Sequence, residues 1–86
     1  MTGNSRIKLY TLSTCNHCKA LRSYLEKTGI AFDFVDVDLL VGAERRAMIN
    51  EVRQYNKRCS FPTTVIDEKV IVGFKEEDFR EALGIT

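Results

Sequence analysis

The chain has 86 residues, 44% of them hydrophobic and 29% charged, with a formal net charge of +1. That supports one small domain with its own core and requires neither disorder nor disulfide stapling; the near-zero charge removes the electrostatic case for nucleic acid, which needs a clustered basic surface. Three cysteines are an odd count for a disulfide framework, no apolar run is long enough to span a bilayer, and Lys8 interrupts the first apolar run where a secretory h-region would lie, so a single-domain cytoplasmic monomer over residues 1–86 is expected, with neither nucleic acid nor membrane as a partner.

Residues 1–5 are small and polar and are expected to form a loose terminus. From Arg6 to Leu12, Ile7 and Leu9 alternate with Lys8, which predicts a strand; Leu12 breaks the alternation, as a mostly buried strand permits. The stretch Ser13-Thr14-Cys15-Asn16-His17-Cys18 follows. Lys19 to Thr28 then reads as a helix whose apolar side carries Cys18, Leu21, Tyr24 and Leu25 at i, i+3, i+6 and i+7, ended by Gly29. A second strand is predicted over Ile30–Asp38, with Phe32 and Phe34 on one face and Val35 and Val37 on the other. Strand, helix and strand in this order make a βαβ unit with parallel strands. A second helix is predicted from Leu39 to Asn56, starting between Val41 and Glu44, with Met48, Ile49, Val52 and Tyr55 as its apolar stripe. A polar connection leads to the only proline, Pro62. Thr63–Ile66 is rich in β-branched residues and reads as a third strand, Asp67-Glu68-Lys69 as a turn, and Val70–Val72 as the partner strand of a hairpin. After Gly73-Phe74, Lys75 to Leu83 reads as a short helix with Glu76, Glu77 and Asp78 in its first turn, where the helix dipole favours acids; Gly84 ends it. One four-stranded mixed sheet of order 2-1-3-4, flanked by three helices on its two faces, satisfies these connections and defines an α/β fold.

Cys15 and Cys18 therefore fall in a strand-to-helix turn, with Cys15 at or just before the helix start. A first helical turn offers free backbone N–H groups and the positive end of the macrodipole. Both stabilise a thiolate, the nucleophile of thiol–disulfide exchange. Cys18 lies one turn later, within reach of a mixed disulfide formed on Cys15, so the pattern points to Cys15 as attacking thiol and Cys18 as resolving thiol. Cys-x-x-Cys is also half of a zinc site. The remaining ligand candidates are Cys59 and His17, the latter lying awkwardly between the pair, and no second Cys-x-x-Cys exists; beside a βαβ pattern the redox reading is favoured and no metal site is assigned. Two buried structural cysteines are a third reading, opposed by the polar neighbours Ser13, Thr14, Asn16, His17 and Lys19. His17 is assigned a catalytic role beside the thiolate, as a cation or hydrogen-bond donor; the alternative is an exposed histidine whose charge is screened. Cys59 reads as a small buried hydrophobe, with a glutathionylation point as the alternative.

The ordered set of an apolar strand, Cys-x-x-Cys, a helix, Ser60-Phe61-Pro62-Thr63-Thr64 opening a third strand, and Val72-Gly73-Phe74 before a final helix resembles a glutaredoxin of the thioredoxin fold. The resemblance covers nearly the whole chain, Arg6 to Ile85. It implies a cis Phe61–Pro62 bond, a form otherwise found in about 5–6% of X–Pro bonds, in a loop that faces the cysteine pair. It also implies a substrate site: Phe61 and Pro62 against a glutathione or peptide backbone, Arg58 or Lys57 on one carboxylate, and Gly73 and Phe74 beside the other. The chain departs from the family's commoner pattern in three places. Asn16-His17 replaces Pro-Tyr and gives up a proline at the first helical position. Leu12 stands where many members carry lysine. Gly73-Phe74-Lys75-Glu76-Glu77 replaces a small, polar stretch. The implied function is a thiol–disulfide oxidoreductase that reduces protein disulfides or glutathione mixed disulfides. It would hold no tightly bound cofactor and take electrons from glutathione, as reductant or co-substrate, or from a thioredoxin-reductase-type enzyme. The alternative under the same resemblance is an iron–sulfur cluster carrier that bridges two chains through Cys15 and glutathione, a role the second cysteine disfavours.

Overall fold

The strand Ile7–Thr11 (β1) is the centre of the molecule. Its alternation sorts the two faces of the sheet: Ile7, Leu9 and Thr11 are buried on one, Tyr10 on the other, with Lys8 half-buried beside it. The computed structural model describes residues 6–84; the expected loose terminus, residues 1–5, lies outside them. After β1 come the helix Asn16–Lys27 (α1), the strand Asp33–Asp36 (β2), a 3-10 turn at Val37–Leu39 and the helix Gly42–Tyr55 (α2). The strands Thr63–Ile66 (β3) and Lys69–Val72 (β4) and the helix Glu76–Leu83 (α3) complete the chain. The sheet order is β2-β1-β3-β4, as expected, with β2 parallel to β1 and the other two pairs antiparallel.

Helices α1 and α3 share one face. Leu21 and Leu25 of α1 and Phe79 of α3 close over Ile7, Leu9, Ile66 and Ile71 in a single core. Each such aliphatic side chain withdrawn from water contributes roughly 1.5–3 kcal/mol. Helix α2 covers the opposite face, burying Val52 and holding the sheet through Tyr10, whose hydroxyl donates to Glu51. Lys8 lies 3.5 Å from the same carboxylate, and the Tyr10 and Tyr55 rings stack at 6.1 Å. Tyr55, expected in the buried stripe, keeps 43% of its surface exposed. Glycines end α1 and α3 as expected: Gly29 (φ 74°) and Gly84 (φ 70°) adopt the left-handed conformation that a Cβ would disfavour.

The second strand is shorter than the alternation Ile30–Asp38 predicts. At its start, the Ile30 N–H is taken by the Leu25 carbonyl at 3.1 Å, which closes the end of α1. At its finish, Val37 turns into the core and Asp38 turns toward the loop after β1. The first is a local closure of the helix end around Gly29; the second is a tertiary demand that an alternating sequence does not announce.

Candidate active site

Four chain segments converge at one end of the sheet, because of strand direction. The ends of the parallel strands β1 and β2 and the start of the antiparallel β3 lie together, and β4 finishes there too. The segment leaving β1 carries Ser13 to Cys18. It is flanked on one side by residues 37–41, leaving β2, and on the other by residues 59–62, entering β3.

Cys15 is the N-cap of α1, with extended backbone (φ −83°, ψ 118°), and its Sγ accepts the Cys18 N–H at 3.2 Å. The sulfur thus occupies the place of a capping oxygen, where an orphan N–H and the helix dipole both favour negative charge. Helix α1 starts at Asn16, directly after Cys15 as expected, and three residues before Lys19, the first residue of the predicted helical segment. Cys15 is half-buried and Cys18 is 1% exposed; Cys15, Cys18 and Cys59 are all free thiols. Burial pushes the Cys18 thiol up to about 12, helped by its hydrogen bond with Cys15 and by the charges of Cys15 and Asp36, against an opposing pull from the Leu12 peptide N–H. One thiol is thus accessible at a helix mouth, and the other is buried and keeps its proton.

The loop between β1 and Cys15 is anchored by a residue the sequence reading did not single out. Asp38 accepts the Ser13 N–H at 2.8 Å and the Ser13 hydroxyl at 2.5 Å. These bonds hold its carboxyl below the usual carboxylate range. Behind it, the buried Thr11 hydroxyl donates to Asp36 at 2.6 Å, cross-linking the ends of β1 and β2. The alternation Val35-Asp36-Val37-Asp38 was the only available signal, and it does not say which acid meets the loop.

On the other side, the Phe61–Pro62 bond is cis. Pro62 is buried and Phe61 half-buried, and the pairing Tyr10↔Thr63 places Pro62 beside the end of β1. Asn56, 7% exposed, organises this loop. Its amide donates to the Ser60 hydroxyl and to Thr63 Oγ1, both at 3.0 Å, and its carbonyl oxygen accepts the Arg58 N–H at 3.1 Å. The Thr63 hydroxyl in turn donates to the Ser60 carbonyl at 2.7 Å. Arg58 is exposed. Cys59, expected as a buried hydrophobe, is half-buried instead, at a left-handed φ of 51° in the turn Asn56 holds. The Gly73 N–H donates to the Pro62 carbonyl at 2.8 Å, which brings β4's exit against the same loop. Phe74 packs its ring against Tyr24 and Phe79, at 5.7 and 5.8 Å, so its aromatic surface is largely engaged in the core. His17 lies exposed in the first turn of α1 and makes no hydrogen bond among the described residues. Among these residues no group of three or more His, Cys, Asp or Glu side chains is gathered to hold a metal, and no helix is long and apolar enough to cross a membrane.

The arrangement suits exchange chemistry: an accessible sulfur at a helix N-cap, a second sulfur one turn behind it, and a hydrogen-bonded loop alongside. Comparisons with known proteins agree with it. The glutaredoxin family model matches residues 7–71. A glutaredoxin-like 8.6 kDa protein in the rubredoxin operon of Clostridium pasteurianum is 36% identical over 72 residues, 84% of this chain and 89% of that one. Among solved structures, the methanoredoxin of Methanosarcina acetivorans superposes with a TM-score of 0.91 at 46% identity, covering 98% of this chain and 90% of that chain. The glutaredoxin of Methanosarcina mazei Go1 does so with a TM-score of 0.85 at 49% identity, covering 93% and 79%.

Proposed function

The chain belongs to the glutaredoxin family and has the thioredoxin fold, and from this we propose that it is a dithiol–disulfide oxidoreductase acting on protein disulfides or glutathione mixed disulfides. The observation that carries the reading is the Cys15 sulfur at the helix N-cap, accepting the Cys18 N–H at 3.2 Å. As a thiolate, Cys15 attacks one sulfur of the substrate disulfide; a Cys15–substrate disulfide forms and the first substrate thiolate leaves. Cys18 then gives up its proton to the released substrate thiolate and attacks Cys15 Sγ. This forms the Cys15–Cys18 disulfide and releases the second substrate thiolate, so two electrons have passed to the substrate. An external donor, glutathione or a thioredoxin-reductase-type enzyme, returns the pair to the dithiol. On a glutathione mixed disulfide, Cys15 alone can complete the exchange, with free glutathione resolving it.

His17 completes the proposed catalytic set as a cation or donor beside the sulfur. Phe61 and Pro62 would receive the substrate backbone, Arg58 a carboxylate, and the Gly73-Phe74 corner the far end of a glutathione moiety. The test supplies the oxidised protein with glutathione plus its reductase, or with thioredoxin reductase, and follows NADPH consumption. Cys15→Ser is expected to fall to background with every substrate. Cys18→Ser is expected to lose protein-disulfide reduction but to keep turnover of small glutathione mixed disulfides. Undiminished turnover in Cys15→Ser would overturn the proposal.

A further inference from the structure

Leu39 and Val41 expose 67% and 73% of their surface, the two most exposed large hydrophobic side chains among the described residues. Scattered apolar residues on a surface are ordinary; this pair is distinguished by its place. Both lie in the segment leaving β2, at the end of the sheet where the Cys15 loop leaves β1. Asp38, directly before Leu39, is bonded to Ser13 through both carboxylate oxygens, at 2.8 and 2.5 Å. Ser13 precedes Cys15 by two residues. The apolar pair is therefore tied, through one side chain, to the loop that carries the nucleophile.

A second observation is independent of exposure. Val41 is the N-cap of α2 and makes no side-chain cap. Valine is among the poorest choices there, where Ser, Thr, Asp or Asn would satisfy an orphan N–H. Val41 thus gains neither a cap bond nor burial at this position, and local rules are broken in this way at functional sites.

We propose that Leu39 and Val41 form an apolar docking rim for the polypeptide that flanks a substrate disulfide, selecting half-cystines with aliphatic neighbours. The inference rests on the exchange reaction proposed above. The occupant follows from position: a disulfide reacting at Cys15 carries its own chain across the rim of the site, and on the β2 side that rim is residues 39–41. Hydroxyethyl disulfide carries no polypeptide and has nothing to lay across that rim.

The experiment compares three oxidised probes at equal concentration: a synthetic peptide disulfide with Leu and Val beside its cysteines, the same peptide with Ser at those positions, and hydroxyethyl disulfide. The wild type is expected to favour the Leu/Val peptide over the Ser peptide by about tenfold in kcat/KM, as the loss of a partly buried aliphatic contact implies. The double variant Leu39→Ser, Val41→Ser is expected to erase that preference, through KM, and to turn over hydroxyethyl disulfide at the wild-type rate. Val41→Ser alone is expected to raise Tm by about 4–8 °C, because it supplies the missing cap, while slowing the Leu/Val peptide. A residue retained for stability would instead lower Tm when replaced and leave the Leu/Val preference unchanged. The proposal is overturned if the preference survives in the double variant, or if all three probes slow equally. It is also overturned if sedimentation shows a wild-type dimer that the substitutions dissociate, which would make the rim a contact between copies of the chain. Failure of the underlying exchange reaction looks different: the wild type would then act on none of the three probes.

Discussion

Cys15 and Cys18 are chemically alike in the sequence and become unlike through a single turn of helix. Cys15 Sγ caps the helix and remains half-exposed; Cys18 is sealed beneath it. The same core contains one polar atom that nothing explains by function. Thr64 is fully buried on the α1 face, paired in register with Leu9 and Ile71, and its hydroxyl finds no partner among the described residues. An unsatisfied buried hydroxyl costs roughly 1–3 kcal/mol. Thr64→Val keeps the β-branched shape that a strand favours and removes the orphan, so it should stabilise the protein by about 1 kcal/mol. Equilibrium denaturation reads this directly; a lower midpoint in the variant would mean that the hydroxyl is bonded after all.

Among the elements, the connection between α2 and β3 is short, polar and largely irregular, yet its geometry is over-determined by one amide. Asn56 follows the last residue of α2 and spends its side chain on Ser60, Thr63 and the Arg58 N–H. Asn56→Ala leaves these groups unpaired in a partly buried site and should cost about 1–3 kcal/mol. Because the loop it holds lies beside Cys15, the variant should also raise KM for disulfide substrates more than it lowers kcat. Steady-state kinetics far below the new melting temperature separates the two effects, and an unchanged KM would confine Asn56 to a stabilising role. The tie between Asp38 and Ser13 serves the opposite side of the site in the same manner.

Over the whole molecule, burial makes stability depend on pH at the alkaline end. The Cys18 thiol is raised from the ordinary 9.0 to about 12. A group that holds its proton more tightly when folded contributes stability that is fully present below the unfolded pKa and is lost as pH climbs through the folded one. The reduced protein should therefore lose stability between about pH 9 and about pH 12. The Tyr10 phenol, pushed up by burial and by Glu51, adds to the loss. Anaerobic denaturation of the reduced wild type and of Cys18→Ala across this range isolates the thiol's share. The variant should fall less steeply, and parallel curves would contradict the burial of Cys18 in solution.

Much of this was legible in the chain because it depends on neighbours in sequence. Period-two alternation marked β1, β-branched residues marked β3, helical spacing marked α1 and α2, Gly29 and Gly84 marked helix ends, and the Cys15–Cys18 spacing marked the chemistry. The cis bond at Pro62 came from resemblance, not from local physics. What the chain could not announce is whatever depends on strands meeting from far apart. The parallel and antiparallel pairings of β1 gather residues 13–18, 37–41 and 59–62 at one end of the sheet. Only that gathering turns Asp38 into an anchor, with Ser13 as its partner from 25 residues away, and puts an exposed Leu39 and Val41 at the same end of the sheet as the Cys15 loop. The physical reason is that propensity and periodicity act over a few residues, whereas a carboxylate or an apolar side chain acquires its role from what the fold places opposite it.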